Sequence, residues 1–239
     1  MIVQHLRDRI QLITQPDHAR LARAIMEHCV PLMARPRRDT ILFAIAEHDN
    51  GWTEEDAAPR VNPVTLDIFD FVTAPATVRH SVWPRGVSRL AGNPWAAALV
   101  AQHAIVVYDR FRRAAAWEPF FSEMEAARDS MIKRTGGLLE HLLSDYVFVR
   151  LADLISLTFC TGWTDEQRFG DWTVRLSGTR VIVPDLFGGA EIPIAIDAKE
   201  IPARAYRSDA ALRDVFRHAV VTTLRGTVAA VDGSPAPAV

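Results

Sequence analysis

Hydrophobic positions recur with helical spacing through most of residues 14–160. Residues 1–14 come first as a short extended opening, with Val3, Leu6, Ile10, Leu12 and Ile13 available for packing. Thr14-Gln15-Pro16-Asp17 then joins a Thr cap, a Pro in the first turn and an acid three residues after the cap, which predicts a helix start. The helix runs to about Val30, and His18, Ala22, Ile25 and Cys29 share one face of it by the i, i+4, i+7 rule. Asp39 caps a second helix, with Ile41, Ile45, His48 and Asp49 along one side and Asn50-Gly51 as its stop. Asn93-Pro94 opens a third, whose apolar side is Leu99, Val100, His103, Val106 and Val107. Residues 117–134 give a fourth, carrying Phe120, Phe121, Met124 and Met131. A fifth begins after Gly136-Gly137 and reaches about Cys160; it is apolar almost all round, as a central buried helix is.

Two stretches break this rhythm. Residues 52–90 are rich in Pro and aromatics, and read as a long irregular segment with a helix around Thr77–Arg89. Loops of that length in compact domains are usually functional, so the segment is a candidate lid or substrate wall. From Gly162 the pattern turns to short alternating runs (172–176, 180–183, 192–196) separated by Ser-Gly, Pro-Asp and Gly-Gly turns. A last helix is expected over Asp209–Leu224 behind a Ser208 cap, and the tail DGSPAPAV reads as frayed. The expected fold is mainly α: about five core helices, with a small C-terminal antiparallel β element and a terminal helix. The expected division is a helical core over 1–161 and a β-rich extension over 162–239.

Composition narrows the function classes. With 49% apolar and 23% charged residues among 239, the chain is that of an ordinary folded globule. A formal net charge of −2 gives no electrostatic reason for nucleic acid or a membrane surface as partner. The arginine groups 35/37/38 and 110/112/113 read as solvated helix ends. Two cysteines make no disulfide framework, and no run of about 18 apolar residues offers a membrane span. The expectation is a cytoplasmic protein that acts on a small molecule and can pair as a homodimer.

The chemistry sits on the apolar faces. His48-Asp49 closes an apolar helix, and nitrogen plus carboxylate donors suit Fe, Mn, Zn or Co better than Ca. His18, His103 and Asp153 occupy apolar faces of three other helices, and a charge on a buried stripe is costly unless paired or metal-bound. Each has an ordinary alternative, such as a carbonyl partner for a His or Arg150 for Asp153. Their joint occurrence favours a metal site. His5, His28, His141 and His218 lack that context.

The order His18 … His48-Asp49 … Asp153 on successive helices resembles the HD-domain metal-dependent phosphohydrolases. The resemblance covers roughly residues 14–160, and QPDHARLA, AEHDNGW and LADLISLTFC also resemble an uncharacterised bacterial domain-of-unknown-function family. It implies one ion on His18, His48, Asp49 and Asp153. His80 and His103 resemble the extra ligands of a two-ion branch, with Asp49 bridging. The implied activity is hydrolysis of a phosphate ester, a nucleotide or another small phosphorylated metabolite, with Asp49 and Glu47 in catalytic roles. Two alternatives use the same residues: a di-iron oxygenase, or a non-catalytic metal-binding or scaffold protein. Where many such proteins have Gly-Lys after the pair, this chain has Gly51-Trp52. Lys133, Arg20, Arg85 or Arg89 would then supply the phosphate-binding cation, and Trp52 a wall for the substrate.

Overall fold

A computed structural model describes the backbone of residues 1–235 and the side chains of residues 1–230. The chain opens with a hairpin, β1 (Ile2–His5) and β2 (Arg9–Ile13), in register from Ile2↔Ile13 to His5↔Ile10. Helices α1 (Gln15–Met26), α2 (Val30–Met33) and α3 (Arg38–Glu47) follow, then a 3-10 turn at Asn50–Trp52 and the short α4 (Thr53–Ala57). Four longer helices come next: α5 (Ala76–Arg89), α6 (Pro94–Val107), α7 (Glu118–Thr135) and α8 (Leu139–Thr161). The rest is β3 (Gln167–Phe169), β4 (Trp172–Ser177), β5 (Arg180–Asp185), β6 (Ile192–Pro202), α9 (Asp209–Arg217) and β7 (Val220–Pro235).

Local chemistry sets the helix starts and stops. Thr14 Oγ1 accepts from the Asp17 N–H at 3.1 Å, and Pro16 takes a first-turn position where no amide is needed. Asn93 Oδ1 does the same for Ala96 at the head of α6. α8 stops at Gly162, whose φ of +69° is a left-handed conformation that side chains disfavour.

The sheet overturns the expectation of a mainly α bundle with a small β appendage. The chain is 51% helical and about 21% strand, so the sheet forms a full second layer. Seven strands run in the order β1-β2-β6-β7-β5-β4-β3 in one curled sheet. It is mixed rather than antiparallel, because β5 and β7 pair parallel from Arg180↔Thr227. The N-terminal hairpin is built into it through Arg9↔Pro202 and Leu12↔Lys199. Pairing across so much sequence leaves no mark in a local hydrophobic pattern. The terminal helix is also corrected: α9 ends at Arg217, and the following Val220, Val221, Thr222 and Thr223 belong to β7. Four β-branched residues in a row lose side-chain freedom in a helix and suit a pleated strand. β7 takes in the first part of the tail read as frayed; residues 236–239 lie outside the described residues.

The segment 52–90 is partly regular, with α4 and α5 leaving 58–75 as its irregular portion. The main core lies between the sheet and the helices. Ile192, Ile194, Ile196 and Ala198 alternate along β6 and face it, as a strand of period two must. α8 runs through the middle and touches α1, α3, α6 and the strands β4 and β5. A Cβ on Gly226 of β7 would lie 2.6 Å from Phe159 of α8, so the missing side chain lets strand and helix close together. A second cluster, rich in aromatics, joins α5, α6 and α7. Among the described residues no helix is long and apolar enough to cross a membrane.

Candidate metal centre

Four elements converge on one buried point. α1 brings His18 from its first turn, and α3 hands over to His48 and Asp49 immediately beyond its end. α6 contributes His103 and the middle of α8 contributes Asp153. Each is at most 5% exposed. The apolar stripes on which the sequence places them therefore do face the core.

Four donor atoms come together tightly. His18 Nε2 lies 3.1 Å from His48 Nε2 and 3.4 Å from both Asp49 Oδ2 and Asp153 Oδ1. His48 Nε2 is 3.5 Å from the same two oxygens. Donors at about 2.0–2.2 Å from a shared tetrahedral ion stand about 3.3–3.6 Å apart, and cis donors of an octahedron somewhat closer. The observed spacings fall in that range.

The hydrogen bonds behind the rings bear on what can sit between the two Nε2 atoms. His48 Nδ1 lies 2.7 Å from the Ile45 carbonyl, which can only accept, so Nδ1 carries the proton. Ser156 Oγ donates to the His18 carbonyl at 2.8 Å, leaving its oxygen to accept from His18 Nδ1 at 2.9 Å. In the neutral rings both Nε2 atoms then hold lone pairs, aimed at each other across 3.1 Å and flanked by two carboxylates. In that tautomer the four atoms repel unless a positive charge stands between them, whereas a proton on one Nε2 makes the 3.1 Å contact a His18–His48 hydrogen bond. Two imidazoles and two carboxylates form a donor set suited to a transition-metal ion.

In the metal-free protein a proton takes that place. Burial pushes the His18 imidazolium down, but Asp153 and Asp49 outweigh it and raise its pKa to about 9. Burial would raise both carboxyls; the facing histidines hold Asp49 below its ordinary value and Asp153 well below it. His103 behaves otherwise: burial dominates, drops it to about 3, and keeps the ring neutral. Its Nδ1 lies 3.2 Å from the Tyr146 hydroxyl and its Nε2 3.7 Å from Asp153 Oδ2. It stands at the rim of the cluster, beside Asp153.

Asp153 has a second partner, because Arg150, one turn earlier on α8, pairs with its Oδ2. The arginine partner usual for a buried acid thus takes one oxygen, and the histidine cluster faces the other. Asp145, two turns back, shows the purely structural case: Arg37 and the Trp95 indole satisfy it at 2.6 and 2.9 Å.

The family model described as "Protein of unknown function (DUF3891)" matches residues 1–208, all five of these residues included. The chain belongs to the DUF3891 family. No curated protein and no solved structure matches it.

In this DUF3891 chain the remaining sequence candidates scatter. His80, on α5, stacks on Phe120 (centroids 5.2 Å apart) and meets Trp117 edge-on; it stands apart from the donor group. Glu47 is the last residue of α3, half-buried, and is not among the residues bordering the cavity described next. Arg85 and Arg89 bind the backbone: Arg85 Nε reaches the Gly51 carbonyl at 3.1 Å and Arg89 Nη1 the Asn50 carbonyl at 2.6 Å, and both also pair with Glu54. They fasten α5 to the turn after His48-Asp49. Gly51 permits this, because a Cβ there would collide with the Val82 carbonyl of α5. Lys133 is exposed on α7, and Arg20 pairs with Asp17 on the surface of α1. Asp17 itself completes the helix cap with Thr14.

Trp52 does line a cavity, of about 350 Å³, which opens beside the donor cluster and is bordered by Asp49, His103 and Asp153. Sequence reasoning missed three contributors. Ser156 is signalled by its place three residues after Asp153, on the same side of α8. Arg150 appears in the sequence only as a partner for Asp153, yet it borders the cavity. Arg79, which also borders it, had no local signal.

Proposed function

We propose that this protein is a metal-dependent hydrolase of a phosphate ester, with one divalent transition-metal ion (Fe, Mn, Zn or Co) held by His18, His48, Asp49 and Asp153. The observation that carries the reading is the pair of Nε2 atoms 3.1 Å apart between two carboxylates. The residue order that resembles HD-domain phosphohydrolases supports hydrolysis as the chemistry. Such an ion, when bound, lowers the pKa of a water toward neutrality and offsets charge on a phosphoryl oxygen.

The chain's own residues do the rest. Ile45 and Ser156 fix both histidines in the tautomer that presents Nε2. Asp49 turns Oδ2 to the histidines and borders the cavity, which leaves Oδ1 to take a proton from an attacking water. Arg150, tied to Asp153, puts a fixed positive charge beside the place where phosphoryl charge develops. His103 stays neutral and completes that wall. A cytoplasmic setting goes with buried, unpaired Cys29 and Cys160.

The oxygenase alternative needs a second ion. With His80 elsewhere, His103 and the second oxygens of Asp49 and Asp153 remain for it among the described residues, and Arg150 already holds that of Asp153, which favours the single-ion hydrolase. Elemental analysis of the purified protein tests the proposal, together with turnover of a panel of phosphomonoesters. About one equivalent of metal is expected, lost together with turnover when His48 and Asp49 are replaced by Ala. Failure to bind any transition metal on reconstitution refutes the site. Two irons with O₂-dependent turnover replace hydrolysis by oxygenation.

A further inference from the structure

The cavity beside the donor cluster has a far end with its own chemistry. Trp83 meets the His103 ring at 5.6 Å and the Tyr108 ring at 6.0 Å. Beyond Tyr108 sits the Arg79 guanidinium, 5.8 Å from that ring and 5.4 Å from the rings of Phe111 and Trp117. The contacts that link Arg79 to the donor cluster thus run through two aromatic side chains, Tyr108 and Trp83. Three rings around one guanidinium hold it in place and favour its charge.

Arg79 lacks a counter-charge. Among the described residues it makes no ion pair and no side-chain hydrogen bond, and its buried Nε has no acceptor. A buried N–H without an acceptor costs about 1–3 kcal/mol, and the half-buried side chain borders the cavity, so its Nη groups are left to meet a partner the chain does not provide. Three arginines (79, 110 and 150) border the cavity against two carboxylates; Arg150 pairs with Asp153, and both carboxylates also face the histidines. Once a divalent ion neutralises Asp49 and Asp153, the cavity is positive at both ends. Trp52, Trp83 and Trp163 also line the cavity and supply flat apolar surface. A cavity of about 350 Å³ is at the small end of ligand pockets, which span about 300–1,000 Å³.

We propose that Arg79 is a specificity-determining residue that grips an anionic group at the end of the substrate remote from the donor cluster, with an aromatic or heteroaromatic body lying along the tryptophans. The substrate class is then an aromatic compound carrying a carboxylate or phosphate at the end away from the bond that is cleaved. This rests on the cavity being the substrate site. It does not depend on hydrolysis, so it is tested by equilibrium binding to metal-free protein.

The probes are benzoate, phenyl phosphate and phenol, followed by quenching of tryptophan fluorescence. Both anions are expected to bind at least about tenfold more tightly than phenol, because only they meet the guanidinium. Arg79→Met is expected to lose that tenfold for the anions and leave phenol unchanged. Arg79→Lys, which keeps the charge, is expected to retain most of it and guards against a folding artefact. Equal affinity of wild type and Arg79→Met for both anions overturns the proposal. So does binding of phenol as tightly as either anion. A protein that binds the anions through Arg79 but hydrolyses nothing refutes only the hydrolytic reading.

Discussion

Raising the pH should tighten metal binding over an unusually wide range. A divalent ion and the proton on His18 compete for one position between two imidazoles and two carboxylates. With the His18 pKa raised to about 9, nearly every metal-free molecule at pH 7 carries that proton. Binding an ion must release it. The apparent affinity then scales with the deprotonated fraction, which rises about 90-fold between pH 6 and pH 8 for a pKa near 9. An imidazole at its ordinary value near 6.5 would give only about a fourfold rise over the same interval and none above pH 8.

The same proton sets the stability of the metal-free protein. A folded pKa above the unfolded one gives stabilisation that is fully present below about pH 6.5 and lost as the pH climbs to about 9. For a fully buried group raised from 6.5 to about 9, that is about 3 kcal/mol. Metal-loaded protein has no such loss, so the gap in melting temperature between loaded and metal-free forms should widen from pH 6.5 to pH 9. Chelator competition from pH 6 to 9.5 measures the affinity, and calorimetry in two buffers of different ionisation enthalpy counts the proton. A plateau in affinity by pH 7, or no proton released at pH 7.5, would refute the shared position.

Two further perturbations probe the supports of the site. Ser156→Ala removes the acceptor that fixes the His18 tautomer, and should weaken metal binding about 10- to 100-fold in a folded protein; unchanged affinity by chelator competition would show that the hydroxyl is not needed. Gly51→Ala forces a methyl into the Val82 carbonyl, so α5 must shift off the turn after His48-Asp49, at a cost of about 1–3 kcal/mol visible in urea unfolding. An unshifted midpoint would mean that this packing is looser than the contact implies.

The donor cluster was legible because its residues violate the rule of the stripes that carry them. His18 among Ala22, Ile25 and Cys29, or Asp153 among Tyr146, Val149 and Leu157, stands out against an apolar face, and a helix with such a face must bury it. His80 had no stripe of that kind. It entered through resemblance alone, and the structure stacks it against Phe120. Arg79 was invisible for a different reason. On α5, where Arg79, Arg85 and Arg89 all follow in sequence, no local rule says which cation meets a cavity and which meets a carbonyl. Only the packing of α5 against Gly51 decides it, sending Arg85 and Arg89 to the backbone of the turn.

The sheet was illegible in its extent, since a strand shows its own alternation but not its neighbour. β1 and β2 read correctly as extended, yet nothing in them foretells β6. The missing layer nevertheless bears on the site. Gathering two lone pairs and two carboxylates within 3.5 Å is unfavourable in the absence of a cation, so the elements that carry them must be held by other forces. α8 carries Asp153 and Ser156, and it is pressed from one side by the sheet, where Phe159 packs over Gly226. α1 follows β2 directly, with one residue between Ile13 and the start of the helix, so the sheet also fixes where His18 enters. The layer that local pattern could not reveal is therefore what holds in place the cluster that local pattern did reveal.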